Sequence, residues 1–357
     1  MISIIALIIV LGILIFIHEF GHFLMARLFG VGVERFSLGF GPRLTGFKAG
    51  ITDYRLSAIP LGGYVKMIGE EPGEELSEAD KPLAFTEKSV LRRFVIVAAG
   101  PVFNLILAVF IFYCLFQVYG ESVPRPVIGE MMESSAAAEA GLKQGDRILA
   151  INDSPVETWT AMAERIKQSE GATLHLIVKR DGRPVAVDVT PRATETKNLF
   201  GEPVRRYMLG ISPSGKPGDI LHKDLSPPAA FGKSVYQTYE IIRLTFVGVG
   251  KMISGSVSVR ENVGGPIWIA QMAGEQARHG ATSLLAFIAF ISISLAIINI
   301  LPIPVLDGGH LLFFVIEAIQ GKPVSLKTRE VAQQMGLFVL VFLMVLVIYN
   351  DILRFFE

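Results

Sequence analysis

Charge is scarce in this chain, and so is cysteine. Only 18% of the 357 residues are charged, 33 Lys and Arg balance 33 Asp and Glu, and no Lys or Arg precedes Arg27. A net charge of zero leaves no electrostatic footprint for nucleic acid, so no nucleic-acid partner is expected. The one cysteine, Cys114, lies in an apolar run and cannot form an intramolecular disulfide. It reads as a small buried hydrophobe. The first apolar run lacks a basic leader and is followed by no small-residue cleavage site, so it reads as a retained helix rather than a signal peptide. What the chain does have is apolar surface: 51% hydrophobic residues and a mean hydropathy of +0.49. That is too apolar for an ordinary globular protein and too polar for a bare bundle in lipid. A membrane protein carrying a soluble domain fits both facts.

Apolar runs predict four transmembrane helices, at about 2–26, 94–119, 282–301 and 336–350. The segment between the first two is rich in Arg and Lys (Arg35, Arg43, Lys48, Arg55, Lys66), which places it on the cytoplasmic side. Four spans then leave both termini outside, together with the soluble segment. Within 30–70, apolar residues alternate with small ones between glycines, as in short strands and turns. Such backbone near a membrane must be buried in protein or line a wet cavity. Residues 70–88 read as an exposed acidic loop. The organisation expected is a first membrane part at 1–120, a soluble domain at 121–200, a linker with an amphipathic helix at 201–281, and a second membrane part at 282–357.

The second span contains Pro101, tolerable if neighbours satisfy the freed carbonyl, and Asn104, a polar contact between helices. In the soluble segment, Gly141-Leu142-Lys143-Gln144-Gly145-Asp146-Arg147-Ile148-Leu149-Ala150-Ile151-Asn152 is a turn followed by an alternating strand. A hairpin turn follows at Arg180-Asp181-Gly182-Arg183. The pattern resembles a PDZ domain, which binds extended peptides or chain ends by adding a strand to a sheet. It would either bind peptide ends or act as a steric filter. Phe231, Val235, Tyr239, Ile242, Phe246 and Val249 recur at helical spacing, giving one apolar face.

The chemistry starts at His18-Glu19-Phe20-Gly21-His22. On a helix, positions i and i+4 share a face, so both imidazoles can converge on one metal ion, with Glu19 placed as general base. An H-E-x-x-H pattern alone is weak, and its histidines could simply be satisfied by hydrogen bonds. The apolar setting argues for function, because three ionisable groups in five residues are costly in a membrane. A catalytic zinc usually takes three protein ligands and keeps a fourth position open. The third span leads into Leu301-Pro302-Ile303-Pro304-Val305-Leu306-Asp307-Gly308-Gly309-His310, which reads as a broken helix facing a polar cavity. Asp307 lies at the matching depth, and His310 is its rival for the third position.

With the run from Asn299 to Gly309, these motifs resemble the site-2 protease family of intramembrane zinc metalloproteases. The nearest likeness is to its PDZ-containing bacterial branch, whose members cut anti-sigma factors. Gly39-Phe40-Gly41-Pro42 and the stretch 97–104 belong to the same likeness, which covers nearly the whole chain. The resemblance implies a polytopic α-helical membrane protein with four transmembrane helices, a membrane-associated β-hairpin region and an inserted extracytoplasmic α+β PDZ domain. It implies one Zn2+ per chain on His18, His22 and Asp307, with Glu19 as catalytic base. It further implies hydrolysis within transmembrane segments of substrates pre-cut by another protease, whether anti-sigma-factor-type proteins or signal-peptide remnants. The setting would be the lipid bilayer of a bacterial inner membrane, with the active site toward the cytoplasm. Substrate contacts are expected at Gly39, Phe40 and Gly41 in a re-entrant loop near 36–60, and at Asn299 and Pro302. Two rival classes remain in view. A transporter would show internal repeats and more spans, and neither is visible. A non-catalytic anchored scaffold would bind no metal.

Overall fold

The computed structural model describes residues 2–70, 76–198, 201–258 and 264–353. Of the exposed loop expected at 70–88, the acidic run at 71–75 lies outside the described residues, and the remainder is not all exposed: Ala84 and Phe85 are buried, Phe85 against Phe314, because apolar side chains there find the core. Two compact units are present, one formed by 1–113, 234–247 and 258–357, the other by 114–233 and 248–257.

Among the described residues four helices are long and apolar enough to cross a membrane: Ile2–Leu28, Val90–Tyr119, Ala281–Ile300 and Leu326–Leu353. At about 1.5 Å per residue each reaches or exceeds the roughly 30 Å of a hydrocarbon core. Their side chains explain the solvent they need. The first helix leaves Ile4, Ile5, Ile8 and Ile9 exposed while burying Ala6, Val10 and Leu14. Only 6% of the apolar window of the fourth helix is covered by protein. Apolar residues all round a helix belong in lipid or a core, so the chain is a membrane protein. The fourth helix begins ten residues earlier than the apolar run alone indicates, because its first turns are polar.

Small residues let these helices approach. A Cβ on Gly21 would sit 2.5 Å from the carbonyl oxygen of Ala99, so the first and second helices touch backbone to backbone there. A further helix, Pro266–His279, packs on the first where Gly274 meets Ser3. Its N-terminus is capped from the fourth apolar helix. The buried Asp351 carboxylate accepts from the backbone N–H groups of Gly265, Ile267 and Trp268 at 2.9–3.1 Å, which satisfies orphan donors and suits the helix dipole.

Strands Val33–Ala49 and Thr52–Met67 form a folded-over sheet in which Phe36 lies between Val65 and Tyr54. Its base is core: Val33, Phe36, Val65 and Met67 pack with Ala26, Ile96 and Phe314. Its far end exposes Phe40, Leu44, Phe47 and Ile51. Beneath the base, the buried Arg93 guanidinium donates to both Glu317 carboxylate oxygens, at 2.6 and 3.3 Å, and stacks over Phe314.

The second unit is a small α+β fold. Strands Ser154–Pro155, Arg147–Ile151, Leu174–Arg180 and Arg183–Val189 are neighbours in that order. Asp181 and Gly182 turn the last pair with φ of +49° and +86°, the conformation that matches strand twist in a two-residue hairpin. Thr158 caps the helix Trp159–Gln168 by accepting from the N–H of Ala161. The core is apolar throughout, with Ile128, Ile148, Met162, Leu176 and Val178 all buried. The unit extends beyond 200: Pro203–Met208, Ile211–Pro213 and Ile220–Lys223 pair with Arg192–Lys197, Ile128–Met131 and Glu121–Pro124. Residues read from sequence as linker are therefore partly sheet, since each short strand finds its partner far away or across a tight turn. The amphipathic helix follows as Pro227–Ile253.

Candidate metal centre

The centre is built from two helices that cross at glycines and a turn that brings in a third side chain. His18 and His22 lie one turn apart on the first helix, both buried. Their Nε2 atoms face each other at 3.3 Å. Nδ1 of His22 donates to the backbone carbonyl of Ile96 at 2.9 Å. A carbonyl can only accept, so the proton sits on Nδ1 and the Nε2 lone pair points into the site. The second helix can come this close only because of Gly100. A Cβ there would lie 2.3 Å from Nε2 of His22 and 2.8 Å from Cε1 of His18.

The third apolar helix ends at Ile300, and a turn through Pro302 and Pro304 leads into the helix Asp307–Gln320. Gly308 and Gly309 make the turn possible. A Cβ on the first would lie 2.2 Å from the carbonyl oxygens of Ile300 and Leu301, and one on the second 2.4 Å from that of Ile303. The result sets Asp307 Oδ2 3.1 Å from His18 Nε2 and Oδ1 3.6 Å from His22 Nε2. The donor atoms of His18, His22 and Asp307 all lie within 4.8 Å of one another.

These separations fit a metal. A tetrahedral zinc with bonds of about 2.0–2.2 Å holds its donors about 3.3–3.6 Å apart. The two Nε2 atoms here are 3.3 Å apart, one Asp307 oxygen lies 3.1 Å from His18, a little inside that range, and the other 3.6 Å from His22. Two imidazoles and a carboxylate are also the ligand types zinc takes. Asp307 Oδ2 is buried against His18 Nε2, as two donors to one cation would be. His310 lies on the wall of the same cavity but outside this cluster, and Asp307 lies within it.

A cavity of about 690 Å³ opens at the centre. Glu19 lines it, half-buried and without a hydrogen bond or salt bridge among the described residues, beside Gly63. The strand residues Gly63, Tyr64, Val65 and Met67 form another wall. The sequence showed them as part of the short strands and turns within 30–70, with no sign that they face the site. Gly39, Phe40 and Gly41 do not line the cavity. Phe40 reaches it at one remove, stacked on Tyr64 with ring centroids 6.0 Å apart, and a Cβ on Gly62 would meet its ring at 2.4 Å. Asn299 is half-buried and Pro302 exposed, both off the cavity lining.

Comparison with known proteins adds to this geometry. A family model described as Peptidase family M50 matches residues 6–343. A candidate zinc metalloprotease of Agrobacterium fabrum is 38% identical over 98% of this chain and 95% of its own. One of Rickettsia conorii is 37% identical over the full length of both, and one of Campylobacter jejuni 38% over 99% and 94%.

Proposed function

The chain belongs to peptidase family M50, the site-2 protease family, and is a zinc metalloprotease, and we propose that it cuts peptide bonds inside transmembrane segments of other proteins. The observation that carries this is the position of the metal centre, on apolar helices whose outer faces suit only lipid. His18, His22 and Asp307 hold one zinc, and Glu19 is the base. The metal supplies a Lewis acid for the scissile carbonyl and makes a water acidic near neutral pH. Glu19 takes the water's proton and passes it to the leaving amine. The carbonyl of Ile96 holds His22 in register throughout.

A helical substrate hides its amides, so the segment cut must first be extended. Residues 63–67 pair with the Phe36 strand on one side, while Gly63, Tyr64, Val65 and Met67 line the cavity. Strand addition to the opposite edge would hold an extended segment against Glu19 and the metal ligands. Gly39, Phe40 and Gly41 support it from behind, Phe40 by bracing Tyr64. Asn299 and Pro302 act at the helix break, where they meet an incoming chain. The exposed apolar end of the sheet, with Phe40, Leu44 and Phe47, enters the bilayer. The α+β unit is a PDZ domain that selects substrates already trimmed by another protease, by holding a chain end or excluding an uncut one. The membrane is the bacterial inner membrane, with termini and PDZ domain outside and the centre toward the cytoplasm, in keeping with the Arg and Lys of 28–93. Anti-sigma-factor-type proteins and signal-peptide remnants are the substrate classes.

The test is Glu19→Gln. Hydrolysis of a membrane-embedded substrate falls on the order of a thousandfold, while bound zinc measured by elemental analysis stays stoichiometric. Full activity in the variant would sink the assignment.

A further inference from the structure

We propose that Asn104 is a positioning residue for His18, fixing the tautomer that lets its Nε2 bind metal. The inference rests on the reading of His18 as a zinc ligand. Asn104 is fully buried on the second apolar helix, and its amide nitrogen lies 3.2 Å from Nδ1 of His18. Ser292 on the third apolar helix donates to the Asn104 backbone carbonyl at 2.7 Å, so this point is held from three helices. The two ligand imidazoles are treated alike. His18 meets Asn104 and His22 meets Ile96, in opposite order along the two helices, as antiparallel neighbours require.

The amide's orientation follows from the ligand chemistry. With the nitrogen toward His18, the buried amide oxygen has no hydrogen-bond partner. With the ends exchanged, the amide hydrogens lose theirs, so the hydrogen-bond count does not choose. The two ends are nearly identical in shape, and only the network assigns them. The ring decides. A neutral imidazole that gives its Nε2 lone pair to a metal keeps its proton on Nδ1, and that N–H needs an acceptor. Asn104 Oδ1 is the atom that can turn to it. The oxygen therefore faces His18, locks the ring and raises the basicity of Nε2, as the Ile96 carbonyl does for His22.

The test compares zinc affinity, by chelator competition, in the full-length protein and in Asn104→Asp, Asn104→Leu and Asn104→Ala. Aspartate keeps an acceptor and holds affinity within a few-fold of the native chain. Leucine and alanine remove it and weaken binding by about 10–100-fold. Alanine keeps the comparison open if leucine disrupts the helix crossing. Thermal unfolding of the metal-free forms reads packing separately, because a purely structural role would lower Tm without ordering the affinities by acceptor. Native affinity in the leucine and alanine variants overturns the proposal, and so does an aspartate variant as weak as they are. A native chain that binds no zinc overturns the underlying reading, and this proposal with it.

Discussion

The two units of this chain place polarity in opposite ways. The unit at 114–233 and 248–257 hides Ile148, Leu176 and Val178 and shows most of its charges to water, Asp146 being buried against Arg180. The membrane unit shows Ile4, Phe338 and Leu346 and hides His18, His22, Arg93, Asn104 and Glu317. Each arrangement is the rule for its solvent. The lesson lies in what the interior does. In the α+β unit the buried residues are the source of stability. In the membrane unit lipid removes much of that demand, and the interior is free to hold costly groups that work as a set.

That contrast can be broken at specific residues. Gly100→Ala should give the largest effect, since the added methyl collides with both imidazoles. Loss of the metal geometry should cut hydrolysis on the order of a thousandfold, about 4 kcal/mol in the barrier, with bound zinc lost alongside. Native activity in this variant would show that the helix crossing does not set the centre. Next comes Leu176→Ala, which opens a hole among fully buried neighbours. It should cost about 3 kcal/mol in unfolding of the α+β unit and leave zinc content unchanged; zinc loss would mean the interiors are not independent. The smallest effect concerns Asp146. Burial pushes its carboxyl up, but hydrogen bonds from Arg180 and from the Lys143 N–H, with the Arg180 charge, outweigh this and hold it below the usual carboxylate range. A lowered pKa stabilises the fold above the unfolded value of about 4, and the contribution is lost as pH falls through the folded value. Asp146→Asn should cost about 1–2 kcal/mol at neutral pH and flatten the acid limb of a pH–stability curve. An unchanged acid limb would remove Asp146 from the account.

How much of this was legible beforehand depends on distance along the chain. His18 and His22 were readable because one helical turn joins them, and Asp307 because prolines and glycines at membrane depth mark a break. The hairpin turn at Asp181-Gly182 was readable for the same local reason. The wall formed by Gly63 to Met67 was not, because its neighbours come from the first helix and from residues near 36. The strand at 211–213 escaped notice too, since it is short and its partner lies some eighty residues back. Gly100 carried no signal of its own in the sequence beyond its place in the stretch 97–104. Only the paired positions of two imidazoles reveal what its missing side chain permits.

The broken helix before Asp307 also has a consequence in time. Chains are made from the N-terminus, so His18, Glu19 and His22 enter the membrane before Asp307, which follows His22 by 285 residues. Until the third apolar helix is in place and its Gly308-Gly309 turn has closed, two imidazoles stand without their carboxylate. A chain that has inserted its first apolar helix but not its third thus holds two of the three clustered donors and not the third.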